Sequence, residues 1–308
     1  MSWFGFWRRQ AKTAAEPRPA SGLFHFVGGR RHVAGVPYAL PKDDAEINRL
    51  DFQHYMLRYA LRGNYLAPLD KPRDILDVGS GSGRWTQEMA LTFPDANVFG
   101  LDLAPPPAEA ATDGRGVARD TRPPNYVFVA GNVLEGLPFA DASFDFTHQR
   151  LLFAAIPRPR CPRWPQVVSE LARVTRPGGW VELVEGSVGA GAASPAERMF
   201  TQWALAVTAR REIDLQIGPH LPTFLREAGL ANVTTREVQI PIGKHGGRLG
   251  RMMQTDVLAV IQGLRGPTLA TGITDAATFD ATIKQWLAEA DHYRSHWAMY
   301  VVCGQRLA

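Results

Sequence analysis

Ile75-Leu76-Asp77-Val78-Gly79-Ser80-Gly81-Ser82-Gly83-Arg84-Trp85 is the stretch on which the fold turns. An aliphatic run gives way to three alternating glycines, and helix-like spacing starts at Trp85. Strand, glycine turn and helix open an α/β unit. In an open sheet that turn lies at the carboxyl edge of the strands, where ligands settle beside the switch point. Glycine there lets the backbone approach a ligand that any Cβ would push away. Asp102 closes the next apolar run, 19 residues after Gly83, and a carboxylate at that place can accept both hydroxyls of a ribose. Loop and acid together read as a site for an adenosine-type cofactor. A glycine turn with only a structural role is the alternative, and Asp102 on schedule weakens it.

Outward from this loop, short apolar runs alternate with helical stretches, the pattern of a parallel sheet with crossover helices. Strands are expected at 74–78, 97–102, 126–130, 144–148 and 180–185, with helices at 85–93 and 166–174. Beyond Glu185 come helices at 195–211 and 221–228, a strand at 233–240, a mostly helical section at 249–290 and a last strand at 296–305. Upstream, 43–62 reads as an amphipathic helix: Asp43 is placed to cap it, acids fill its first turn, and Ile47, Leu50, Met56, Leu57 and Leu61 follow at near-helical spacing.

The 308 residues carry a formal charge of +4, with both signs mixed along the chain, which does not argue for nucleic acid. Cys161 and Cys303 stand far apart and neither has metal-ligand spacing around it, so no metal site and a reduced, cytoplasmic setting are expected. No apolar run is long enough to cross a bilayer. Residues 1–22 read as a flexible tail. Its aromatic and basic start, from Trp3 to Arg9, lacks the apolar core of a signal peptide. Peripheral membrane contact through residues 1–20 is the lesser alternative to plain disorder. The sequence leaves the oligomeric state open.

The glycine spacing separates two cofactor classes. A dinucleotide fingerprint is Gly-x-Gly-x-x-Gly; here Asp77-x-Gly79-x-Gly81-x-Gly83 puts Arg84 where the third dinucleotide glycine would stand. This pattern resembles the first motif of the class I methyltransferases. The stretch Gly131–Asp145 is similar to the segment after that family's third strand, and Glu170–Glu185 to its helix, Pro-Gly-Gly turn and fifth strand. The resemblance implies a Rossmann-like α/β fold with a mostly parallel seven-stranded sheet, an N-terminal helical lid over 23–70, and a methyltransferase domain over 71–308. It includes a helical insertion before the last strand. Substrate-cap segments are expected at about 186–230 and 243–295. It also implies S-adenosyl-L-methionine as cofactor, held by Asp77, Gly79, Ser80, Gly81, Gly83, Asp102 and Leu103. Asn132 stands where the family more often has Asp against the adenine amino group, with Val133 beside the purine.

Three more strings, Gly29–His54, Phe144–Arg150 and Pro241–Gly250, resemble the LaeA-like branch of that superfamily. His245 stands where this branch often has Trp. The branch holds tailoring enzymes and proposed regulators, so it fixes no substrate. Methyl transfer is an in-line displacement at a sulfonium carbon; alignment is what the protein must supply, and sometimes a base. The catalytic candidates are His148 and His54. Gln149 or its backbone, Tyr38 and Gln53 are candidates to touch the cofactor, and Arg150 to hold an acidic group or pair with a neighbouring acid. His220, His245, Trp203, Trp286, Met252 and Met253 are candidate pocket residues. For most of these, packing or an ordinary hydrogen bond is the competing role. The expected function is methylation of a small, apolar or aromatic, secondary-metabolite-like molecule. A regulatory protein acting through partners and a membrane quinone methyltransferase are the alternatives.

Overall fold

The computed structural model describes residues 24–33, 38–106, 110–112, 118–120, 122–157, 163–189, 194–209 and 212–307; the expected tail at 1–22 and Cys161 lie outside them. A hairpin of β1 (Phe24–Val27) and β2 (Arg30–Val33) precedes helix α1 (Asp44–Leu61). Then follow β3 (Asp74–Val78), α2 (Arg84–Thr92), β4 (Asn97–Asp102), a small hairpin of β5 (Ala110–Thr112) and β6 (Ala118–Asp120), β7 (Tyr126–Ala130) and β8 (Phe144–Arg150). The chain continues through α3 (Arg163–Val174), β9 (Thr175–Ser187), α4 (Pro195–Ala209), α5 (Leu221–Glu227) and β10 (Ala231–Pro241). Helices α6 (Gly247–Ala270) and α7 (Ala276–Glu289) come before β11 (His296–Gln305).

The expected seven-stranded sheet is present, in the order β10-β11-β9-β8-β3-β4-β7. β3 pairs in parallel with β4 and β8, and only β11 runs against its neighbours. The chain fills one side, β3 to β4 to β7, then crosses back to β8. The strand order therefore reverses beside β3, at the end where the glycine turn stands. β3 shows why the sheet is two-sided. Ile75 packs with Met56, Trp85 and Phe146 on one face, while Leu76 and Val78 pack with Trp164, Leu171 and Leu183 on the other. A strand buried on both faces reads as a continuous apolar run rather than an alternation.

Helix α1 starts where expected, with the Asp43 carboxylate accepting the Glu46 amide at 3.0 Å. Three features escape the sequence pattern. The two hairpins have strands of three or four residues, too short to show a period. β9 begins at Thr175 and runs through the Pro-Gly-Gly turn region, earlier than the apolar run alone marks. Helix α5, assigned by the sequence to a substrate cap, instead buries Leu221 and Leu225 in the core shared with Trp164 and Leu171, so it covers the sheet. Its apolar face fits either role, and only the tertiary partner decides.

Candidate active site

A cavity of about 460 Å3 opens above the carboxyl ends of β3, β4 and β8, under the segment Tyr38–Lys42, α1, α4, α6 and α7. Its floor is the glycine loop. The Gly79 and Ser80 amides donate to Leu101 O at 2.8 and 3.0 Å, which ties the turn to β4. Gly79 has φ +75°, a backbone that favours glycine, and a Cβ there would meet the end of the Leu152 side chain at 2.7 Å. The Gly81 amide donates to Asp102 Oδ2 at 2.9 Å, while Lys42 Nζ donates to Asp102 Oδ1 at 2.8 Å. Loop and acid thus form one unit, with Lys42 reaching it from the N-terminal segment.

Asp77, on β3, and His148, beside it on β8, point to the same side of the sheet. Asp77 Oδ1 lies 3.0 Å from His148 Nδ1, and Thr86 donates to Asp77 Oδ2 at 2.6 Å. The His148 ring stacks on Trp85 at 3.8 Å with only 3° between the planes. A carboxylate at Asp77 only accepts, so Nδ1 is the donor in this bond, and in the neutral ring the lone pair lies on Nε2. Nε2 is buried without a hydrogen-bond partner.

The second candidate histidine is otherwise engaged. The Arg150 guanidinium lies 3.0 Å from His54 Nδ1. Arg only donates, so Nδ1 accepts and Nε2 carries the proton, 3.0 Å from Glu88 Oε2. Burial, reinforced by the charge of Arg150, lowers the pKa of His54 to about 4. Arg150 pairs with this histidine and, among the described residues, with no acid.

The roof is fastened by buried charge. Arg49, on α1, donates to Asp256 Oδ1 on α6 at 2.8 Å and to both Glu46 oxygens at 2.6 and 2.9 Å. Gln53 donates to Asp256 Oδ2 at 2.9 Å, and the Tyr38 hydroxyl to Glu46 at 3.3 Å. All five side chains border the cavity. Burial raises the pKa of Asp256 against the pull of Arg49 and Gln53. On the far side the wall is aromatic: Trp203 stacks on Phe279 at 5.2 Å, and Phe200 meets Trp286 edge-on at 6.2 Å.

Of the residues expected to hold the cofactor, Asp77, Gly79, Ser80, Gly81, Asp102, Leu103, Asn132, Val133, Tyr38 and Gln53 border this one cavity, as do His148 and His54. Gly83 does not; with φ +79° it starts α2. Gln149 points through the sheet to the opposite side, where its amide donates to Glu185 at 3.0 Å. Alternation along β8 puts consecutive residues on opposite faces, so His148 and Gln149 cannot both face the cavity. The Asn132 oxygen accepts the Leu134 amide at 3.1 Å, capping a short turn. Trp203, Trp286 and Met253 border the cavity; Met252 does not. His220 is exposed at the start of α5, and His245 lies 3.5 Å from Asp291, both away from the cavity. Missed by sequence reasoning were Lys42, Arg49 and Asp256. Asp256 was findable, since it interrupts the apolar side of a long helix at the spacing of Met253, Val257 and Val260.

The methyltransferase domain family matches residues 75–179, the span from β3 to the Pro-Gly-Gly turn. Methyltransferase str2 of Strobilurus tenacellus is 30% identical over 252 residues, covering 78% of this chain and 85% of that protein. The N-methyltransferase sirN of Leptosphaeria maculans is 30% identical over 285 residues, covering 88% and 95%. This chain is a class I S-adenosylmethionine-dependent methyltransferase. Among solved structures, a Haloferax volcanii methyltransferase in complex with the Trm112 activator has a TM-score of 0.50 at 18% identity, covering 86% of this chain and 95% of that one, a likeness of fold.

The methyltransferase's residues fit its cofactor. Ser80 Oγ and His148 Nε2 are buried polar atoms with no partner in the protein, and both residues border the cavity beside Asp102. Asp102, Leu103, Val133, Gly79 and Gly81 border the same cavity. S-adenosylmethionine supplies a methyl group on sulfur that needs no acid to leave. Among the described residues no group of three or more His, Cys, Asp or Glu is placed to hold a metal, and no helix is long and apolar enough to cross a membrane.

Proposed function

We propose that this methyltransferase transfers the methyl group to nitrogen in a small apolar or aromatic molecule of the secondary-metabolite kind. The observation that carries the reading is the continuity of the cavity from the glycine loop and Asp102 to the aromatic wall of Phe200, Trp203, Phe279 and Trp286. Such a wall receives an apolar acceptor and excludes water from the reacting atoms. The nitrogen rests on relatives: sirN, verN of Clonostachys rogersoniana and gliN of Aspergillus fumigatus are N-methyltransferases by name.

In this reading His148 accepts the proton that the nitrogen sheds. Asp77 fixes its tautomer and Trp85 fixes its ring plane. His54 does not serve as base, because its available lone pair is taken by Arg150. The test is incubation with methyl-labelled cofactor and a metabolite extract, followed by mass spectrometry. The expected product is a small apolar molecule labelled on nitrogen. Label on oxygen or carbon overturns the nitrogen, and no labelled small molecule overturns the acceptor class.

A further inference from the structure

Glu185, near the end of β9, is fully buried and takes no part in the chemistry above. We infer that it is a positioning residue for the cofactor loop, acting through the turn after β8 and the side chain of Leu152. Its Oε1 accepts the Leu152 amide at 2.9 Å and the Gln149 side chain at 3.0 Å, and its Oε2 accepts the Phe153 amide at 3.2 Å. One carboxyl thus gathers three donors from the short stretch 149–153, the Gln149 amide buried and the Leu152 and Phe153 amides partly buried.

The turn needs this hold. Leu151 has φ +54°, a left-handed backbone that a leucine keeps only when its surroundings impose it, and its amide donates to Val184 O at 2.9 Å, next to Glu185. The following residue is the one that matters for the site. Leu152 fills the space at Gly79, 2.7 Å from where a Cβ would stand, and Gly79 is itself fixed to Leu101 O. Contacts therefore run from Glu185 through Leu152 to the first glycine of the loop that receives the cofactor. A displaced turn moves Leu152, and the loop's packing with it. Glu185 lies on the far side of the sheet from His148 and does not border the cavity. Its burial pushes its pKa up to about 8 against these three donors.

The test is a double-mutant cycle read as affinity for S-adenosylhomocysteine by calorimetry, without acceptor, so it stands apart from the acceptor reading above. Glu185→Gln keeps the shape but turns an amide N–H against one of the backbone donors. Leu152→Ala leaves the carboxyl's bonds intact and removes the contact to Gly79. Each is expected to weaken binding by about 5- to 20-fold, and the double variant no more than the weaker single, because the two act along one path. Unchanged affinity in Leu152→Ala overturns the proposal even if Glu185→Gln fails to fold. Losses that multiply in the double variant also overturn it, as does a Glu185→Gln protein that melts earlier yet binds as well as the wild type.

Discussion

Lys42 Nζ stands 2.8 Å from Asp102 Oδ1, both side chains partly buried, so the segment before α1 is pinned to the acid that ends β4. We propose that Asp102 receives the cofactor ribose, so that cofactor exchange passes this contact. Lys42→Met keeps the apolar stem and deletes the charge. It is expected to release S-adenosylhomocysteine about 3- to 10-fold faster, in line with an ion pair of about 1 kcal/mol at this exposure. A chase of labelled product measures the rate, and an unchanged rate rejects the coupling.

Asp102 itself joins Lys42 and the Gly81 amide, and we propose that it also holds the cofactor ribose. Asp102→Ala is expected to lose at least about 100-fold in cofactor affinity, since a bidentate charged acceptor is replaced by nothing. Calorimetry with S-adenosylmethionine checks this. Asp102→Asn should fall between the two proteins, because one oxygen still accepts.

The roof network carries two buried acids and one buried base: Glu46, Asp256 and Arg49. Which partner is removed should therefore matter more than how many bonds are cut. Arg49→Met leaves two carboxylates without their cation, at a cost of about 3–5 kcal/mol. Asp256→Asn leaves a neutral Glu46–Arg49 pair and still accepts from one side, costing about 1–2 kcal/mol. Urea unfolding of both variants tests the order, and equal losses would show that charge balance is not what fastens α1 to α6.

The parts of this molecule that could be read from sequence are those written in local pattern. The strand before Gly79, the loop, Asp102 and the alternation of strands with helices all follow from short-range spacing. His148 was legible as a residue at a strand end. What was not legible depends on contacts between distant segments. The Arg49–Asp256 bond spans 207 positions, and Lys42 was one more lysine until its segment folded over β4. The direction of the Gln149 side chain was hidden for a simpler reason: with a period of two, only one of two adjacent strand side chains can face the cavity, and the sequence did not say which.

Glu185 sets a pH dependence whose sign follows from the direction in which burial moves its pKa. That pKa is raised from 4.5 to about 8, so the folded protein holds this proton more tightly than the unfolded chain does. The stabilisation is complete below pH 4.5 and is lost as pH rises through about 8. At about 1.4 kcal/mol for each pH unit separating the folded and unfolded pKa values, the loss amounts to a few kcal/mol. Glu185→Gln cannot ionise, so its unfolding free energy should stay flatter than the wild type's between about pH 5 and 9. Parallel curves for the two proteins would assign the slope to other groups.

His148 offers the sharpest division between holding the cofactor and using it. Its Nδ1 faces Asp77, and its Nε2 is buried without a partner at the cavity wall. A base that acts only as the methyl group moves should lower kcat and leave cofactor affinity nearly alone. His148→Gln is expected to lose about 100- to 10,000-fold in kcat, the usual worth of a positioned base. Asp77→Asn should lose part of that through the tautomer, since an amide can donate to Nδ1 and move the proton to Nε2, the wrong nitrogen. His54→Gln, which disturbs the contacts to Arg150, Glu88 and Tyr55 and leaves His148 in place, should cost far less. Single-turnover rates beside calorimetric affinities separate these outcomes. A His148→Gln protein that transfers methyl groups at the wild-type rate would leave alignment alone as the source of catalysis.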